Sequence, residues 1–211
     1  MSNELKKRLI TSIIILTFLF FLLLQGGILF KIFVLLIFFI AFFEWFNLSK
    51  NKFVFIIGLG LLIFSATITF YIIKENLLFL LVIILICVSS DIGGFVFGKI
   101  FKGPKLTKIS PNKTYAGLIG SYFFSVCSIF LFFKIIKYYQ IFTEFNSSLK
   151  ILIIMSLIIS TTSQIGDLII SFFKRIRKVK NTGNLLPGHG GILDRIDGMI
   201  FSIPISYFIF L

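Results

Sequence analysis

Residues 77–98 read LLFLLVIILICVSSDIGGFVFG, and the reading of this stretch decides the fold. The run carries a single charge, Asp91. At ~1.5 Å of rise per helical residue, a run of this length crosses a hydrocarbon core ~30 Å thick. Its apolar residues are continuous rather than alternating, which argues against a membrane β-barrel. Similar runs recur outward in both directions, at roughly 9–24, 28–43, 53–73, 114–133, 151–171 and 190–211, making seven hydrophobic segments. Across 211 residues, 58% are hydrophobic and only 14% are charged, and mean hydropathy is +1.07. A soluble domain carries about a quarter charged residues. The expected fold is therefore all-α, a polytopic transmembrane helical bundle. It forms one integral-membrane domain over 1–211, with N-terminal helices in 1–90 and a motif-bearing part in 91–211. The first run follows Lys6, Lys7 and Arg8 as a signal peptide does, but no small-residue cleavage site follows, so a retained helix is expected. Gln25-Gly26-Gly27 is the expected turn after it.

Net charge is +13, and its placement matters more than its size. Lys and Arg number three in residues 1–8, two in 44–52, five in 99–113 and five in 174–188, against four in the alternate loops. Cytoplasmic loops carry such an excess. The N-terminus and the three basic loops are expected on the cytoplasmic side of the inner membrane, and the C-terminus on the far side. The bilayer, not nucleic acid, is the expected partner of the positive charge. Cys87 and Cys127 sit in apolar segments without metal-ligand spacing and read as free packing residues.

The chain's scarce ionisable groups converge on Ser171–Asp197, SFFKRIRKVKNTGNLLPGHGGILDRID. Two of the four aspartates and the only histidine, His189, lie there. Ionisable groups near lipid are costly and usually mark function. Asp194 and Asp197 are spaced to share one helix face. Two neighbouring carboxylates repel unless a cation lies between them or one is protonated. Hard oxygen ligands beside a phosphate cradle favour Mg²⁺, with Asp167 as a further ligand. Salt bridges to Lys174, Arg175 or Arg195 are the competing reading. Lys174, Arg175, Arg177, Lys178 and Lys180, with Gly183, Gly188, Gly190 and Gly191, have the make-up of a phosphate cradle. Asp91 and Asp167 lie eight and seven residues before Lys99 and Lys174. Helical rise then puts all four carboxylates within roughly 10–15 Å of the cytoplasmic interface.

A second polar island follows Asp91. Gly94 and Gly98 form a small-xxx-small pair suited to close helix packing. In Ser110-Pro-Asn-Lys-Thr114, Pro111 fixes a turn and Thr114 is positioned to cap the next helix. Lys113 at a helix start is unfavourable without an anion, which makes it a phosphate-contact candidate. Glu44-Trp45 ends the second segment, where Trp commonly anchors at the interface.

At these residues the chain resembles the phosphatidate cytidylyltransferase (CDP-diacylglycerol synthase) family. The matching positions are Ser171, Lys174-Arg175, Lys180, Gly183, Pro187, His189-Gly190-Gly191, Asp194-Arg195 and Asp197. Gly166-Asp167-Leu168, Asp91 with Gly93, the Ser110–Gly117 run, Arg8–Thr11 and Glu44-Trp45 are also similar to it. Departures are Asn181, where the family usually has aspartate, Ala116 and Ile170, and the chain is shorter than typical members. The resemblance implies transfer of CMP from CTP to phosphatidic acid with Mg²⁺, and leaves an additional monovalent cation and a homodimer open. It implies catalytic roles for Asp167, Lys174, Arg175, Asp194, Arg195 and Asp197, with Asp167, Asp194 and Asp197 on the metal. Asp91, Ser110, Lys113, Thr114, Ser171, Lys180, His189, Gly190 and Gly191 would bind substrate. A CDP-alcohol phosphotransferase-like lipid enzyme and a small ion-coupled transporter are the alternatives.

Overall fold

The computed structural model describes residues 22, 27–107, 109–139, 148–186 and 190–211. Apart from Leu22, the expected 9–24 helix lies outside the described residues, as does His189. Among the described residues, five helices are long and apolar enough to cross a membrane: α1 (Gly27–Leu48), α2 (Lys52–Glu75), α3 (Leu77–Phe101), α4 (Tyr115–Tyr139) and α5 (Leu149–Ile176). A one-turn α6 (Leu193–Ile196) and α7 (Met199–Phe210) follow. Among the described residues, extended pairing is confined to two isolated bridges, Lys105–Thr114 and Leu186–Gly190. The chain is an all-α polytopic integral membrane protein.

The helix boundaries have local causes. Gly27 enters α1 with φ 58°, while Gln25 and Gly26 of the expected turn lie outside the described residues. Asn76 alone separates α2 from α3: its side chain accepts the Phe79 N–H at 3.0 Å, offering the backbone an alternative to continued helix. α3 ends where Lys102 and Gly103 take positive φ ahead of Pro104. The segment expected over 190–211 begins later, at Leu193, and is interrupted at Asp197-Gly198. There the Asp197 carboxylate accepts the Gly198 N–H at 2.9 Å. The remaining twelve-residue α7 rises only ~18 Å, so it is not one of the span-length helices.

Outward faces carry large exposed apolar side chains such as Ile28, Phe53, Phe95 and Phe123, as lipid-facing surfaces do. Lipid tails are as apolar as these side chains, so helices associate through close packing and inter-helix hydrogen bonds. The α3–α4 seam shows both. A Cβ on Gly93 would strike the Gly120 carbonyl, one on Gly94 the Ser121 hydroxyl, and one on Gly117 the Gly94 carbonyl. The expected small-residue packing is thus present and extends to four glycines on two helices, with Gly98 against Thr114 at its end.

Hydroxyl pairs link the buried faces. Ser90 meets Ser160 of α5 at 2.8 Å, Ser89 meets Ser128 of α4 at 2.8 Å, and Cys87 meets Ser202 of α7 at 3.2 Å. At ~0.6 kcal/mol each, three such contacts total only ~2 kcal/mol, so they fix register more than they supply stability. Both cysteines are free, as expected. Trp45 differs from expectation. It is buried at 4% exposure, donates to the Phe55 carbonyl at 3.2 Å, and sits edge-on to Phe173. Gly58 on α2 provides its space, since a Cβ there would overlap the indole. It therefore packs α1 against α2 and α5 instead of anchoring at the interface.

Candidate active site

All four aspartates of the chain line one cavity of about 280 Å³, together with Lys113, Thr114 and Gln164. Asp91 comes from α3, Asp167 from α5, and Asp194 and Asp197 from the turn around α6. Backbone contact makes this convergence possible. A Cβ on Gly166 would meet the Asp197 carbonyl and Gly198, and one on Gly198 would overlap Ser163. α5 and the 197–198 turn therefore touch without intervening side chains, which brings Asp167 beside Asp197. Residues 192, 197 and 198 keep right-handed helical dihedrals around α6, so Asp194 and Asp197 share a face as their spacing predicts.

Lys113 reaches the cavity from the turn before α4. Its ammonium pairs with the Asp167 carboxylate at 2.5 Å and donates to the Gln164 carbonyl at 3.5 Å. Thr114 caps α4: its hydroxyl accepts the Gly117 N–H at 3.1 Å, as the sequence indicated. Ser171 lies one turn beyond Asp167 and donates to its other oxygen at 3.2 Å. Asp197 feels Asp167 and Asp91 as like charges and Lys174 as an opposite one. Asp91 similarly faces the charges of Asp167, Lys113 and Arg195. The cavity thus combines clustered negative charge with the ammonium of Lys113 in its lining.

Asp194 is the most constrained of the four. Its Oδ1 accepts from Lys174 Nζ at 2.7 Å, and both side chains are nearly buried. Its Oδ2 accepts the N–H groups of Thr182 and Gly191 at 2.8 and 3.0 Å. The salt-bridge alternative weighed from sequence therefore describes Asp194 through Lys174. Gly190 has φ 85°, and a Cβ there would press on Asp194 and Asn181, so glycine is required by both conformation and space. Gly191 is confined by Glu44 and Thr182.

Other candidates lie around this centre and do not line the cavity. Arg175 donates to the Ile109 and Val179 carbonyls at 3.4 Å, tying α5 to the turn that holds Ser110. Lys180 and Arg195 are exposed. Ser110 accepts the Lys113 N–H through its carbonyl at 3.0 Å and so shapes the turn that presents Lys113.

The donor set suits a hard cation. Among the described residues, no three His, Cys, Asp or Glu side chains are arranged to hold a metal by themselves. Mg²⁺ typically takes one or two carboxylates plus substrate phosphates and water. Carboxylates sharing one cavity fit that requirement without a preformed cage.

Sequence reasoning noted Glu44 only together with Trp45, as a helix-end pair and part of the family resemblance, and gave it no place in the site. It is buried at 7% exposure and accepts from the Thr182 hydroxyl at 2.7 Å, the Ile192 N–H at 3.0 Å and the Leu193 N–H at 2.8 Å. One signal could have found it. Glu44 is the only acidic residue in α1, and an ionisable group in a membrane segment is functional by default. Gln164 and Asn112, also at the cavity, had no such signal.

Comparison with known proteins gives the same picture. The family described as the cytidylyltransferase family matches residues 53–211. A phosphatidate cytidylyltransferase of Staphylococcus haemolyticus (strain JCSC1435) is 36% identical over 170 residues, covering 75% of this chain and 61% of the relative. The protein of that name from Staphylococcus aureus (strain COL) is 39% identical over the same extent. One from Rickettsia typhi (strain ATCC VR-144 / Wilmington) is 37% identical over 174 residues, 78% of this chain and 73% of the relative. The chain spans about three-fifths of the length of the staphylococcal relatives. The family match takes in the whole cavity, from Asp91 to Asp197, and leaves out residues 1–52, α1 among them. On that match, the chain belongs to the cytidylyltransferase family.

Proposed function

We propose that the protein transfers the cytidylyl group of CTP to phosphatidic acid, forming CDP-diacylglycerol and releasing pyrophosphate. The observation that carries this reading is the lining of one cavity by every aspartate of the chain, with Lys113 beside them. The relatives' name supplies the substrate class. A phosphate oxygen of the lipid attacks the α-phosphorus of CTP. A new P–O bond forms, and the bond from that phosphorus to the α,β-bridging oxygen breaks, its electron pair leaving with pyrophosphate. The attacking phosphate is already an anion, so the chain needs neither a covalent nucleophile nor a strong base.

Positioning and electrostatics then dominate catalysis. Lys113 holds fixed positive charge in the cavity lining, and Lys174 stands behind it through its pair with Asp194. Arg175, Lys180 and Arg195 provide basic groups where the triphosphate approaches, and Gly190 and Gly191 let backbone come close to it. Asp91 and Thr114 shape the substrate side of the cavity, and Ser110 shapes the turn that presents Lys113 to it. Bound Mg²⁺ would be held by Asp167 and Asp197 and would neutralise charge on the phosphates and on the leaving group; Asp194, expected with them from sequence, has both oxygens taken by Lys174 and the Thr182 and Gly191 amides. The excess of Lys and Arg in alternate loops supports a cytoplasmic opening, where CTP is found and the acidic lipid is at hand. No observation favours a CDP-alcohol phosphotransferase or a transporter.

The test is incorporation of labelled CTP into chloroform-soluble lipid by purified protein, with and without phosphatidic acid and Mg²⁺. Labelling that needs both is the expected result. Well-folded protein that labels no lipid over a range of metals refutes the reading.

A further inference from the structure

Two carboxylates grip the chain that follows α5, at residue 182 and again at residues 191–193. Asp194 takes the N–H groups of Thr182 and Gly191. Glu44, from the end of α1, takes the Thr182 hydroxyl and the N–H groups of Ile192 and Leu193. Three consecutive amides, 191 to 193, thus end on carboxylate oxygens, and Thr182 touches both. Gly183 and Gly191 are the residues packed directly on Glu44, where a Cβ would collide with its carboxylate. Arg177 ties the same end of α1 to the start of the loop, donating to the Asn47 carbonyl at 2.7 and 3.2 Å.

We propose that Glu44 is a positioning residue: it holds residues 182 and 191–193 so that Asp194 and its partner Lys174 face the cavity in working geometry. The proposal rests on the nucleotidyl-transfer reading for its kinetic consequence but not for its structural one. It also assigns a role to α1, which lies outside the region that matches the family. Glu44 does not line the cavity and acts only through the loop. Both of its oxygens are acceptors, so the amide of Glu44→Gln would turn one toward a group that donates. Misplacement of reacting groups on the order of 1 Å costs up to about a hundredfold in rate.

The experiment compares Glu44→Gln, Thr182→Val and Thr182→Ser with the parent protein in detergent. kcat and KM for CTP are read from lipid labelling, trypsin cleavage at the exposed Lys178 and Lys180 reports loop opening, and thermal midpoint reports global stability. Glu44→Gln is expected to lower kcat about tenfold or more, to speed cleavage in the loop, and to leave the midpoint near the parent's. Thr182→Val is expected to share the kinetic loss in milder form, and Thr182→Ser to restore activity because it keeps the hydroxyl. Unchanged kcat in Glu44→Gln, or equal losses in Thr182→Val and Thr182→Ser, overturns the proposal. If Glu44→Gln does not fold, the two Thr182 variants decide. If the parent labels no lipid, the function reading fails, and loop cleavage in Glu44→Gln alone decides the positioning role.

Discussion

Removing the ammonium from Lys174 isolates a nearly buried carboxylate, and the cost can be worked from its contacts. Breaking a buried ion pair from one side costs roughly 3–5 kcal/mol, because the other charge stays behind uncompensated. Here Asp194 keeps two backbone N–H bonds on Oδ2 and loses only the 2.7 Å bond on Oδ1. Bonds to charged groups contribute about 1.5–3 kcal/mol each. Lys174→Met should therefore fall near the lower end, at about 2–3 kcal/mol. For a chain of 150–250 residues that corresponds to roughly 4–12 °C in thermal midpoint. Asp194→Asn leaves an amide facing Lys174 and should cost a similar amount. The double variant should cost about 1.5 kcal/mol or more below the sum of the singles, since neither charge is then stranded. Thermal unfolding of all four proteins in one detergent supplies the cycle. Additivity within about 0.5 kcal/mol would refute the pair as an energetic unit.

The glycine seam gives a paired prediction. Gly93→Ala should destabilise the bundle because its Cβ strikes the Gly120 carbonyl, whereas Gly60→Ala, with nothing nearby, should be neutral or gain about 0.5–1 kcal/mol; thermal midpoints compare them. Thr114→Ala should cost about 0.5–2 kcal/mol through the lost α4 cap, while Thr114→Ser should cost far less in the same melt. Asp197→Ala should abolish lipid labelling while the protein remains membrane-inserted, and near-parent activity would remove Asp197 from the metal assignment. Asn181→Asp should raise labelling if a carboxylate at that position aids metal or phosphate binding; a decrease would show that the chain has adapted to the amide.

Much of the fold could be read from local pattern. Apolar length located five spans, Thr114 announced its cap, and Gly94 announced a close helix contact. Their common distance to basic loops gave Asp91, Asp167, Asp194 and Asp197 one expected depth, while the single cavity they line needed the fold. What escaped was set by contacts between residues far apart in the chain. Glu44 meets residues 138 to 149 positions away, and no local spacing encodes such a meeting. Beside Trp45 it read as an interface marker, because a tryptophan at a helix end has the same local look whether it faces headgroups or Gly58. The interruption at Asp197-Gly198 was hidden for a related reason. Hydropathy sees the apolar run continue, while the break comes from one carboxylate capturing its neighbour's amide.

The hydroxyl contact between Ser90 and Ser160 bears on the residue that follows it. A helix turns ~100° with each residue, so a contact at position 90 sets the rotational phase of α3 just where Asp91 projects. The contacts at Ser89 and Cys87 lock the same phase from two other helices. α3 is thereby keyed like a shaft in its bearing. The compass bearing of the Asp91 carboxylate is then decided by weak bonds that never touch a substrate.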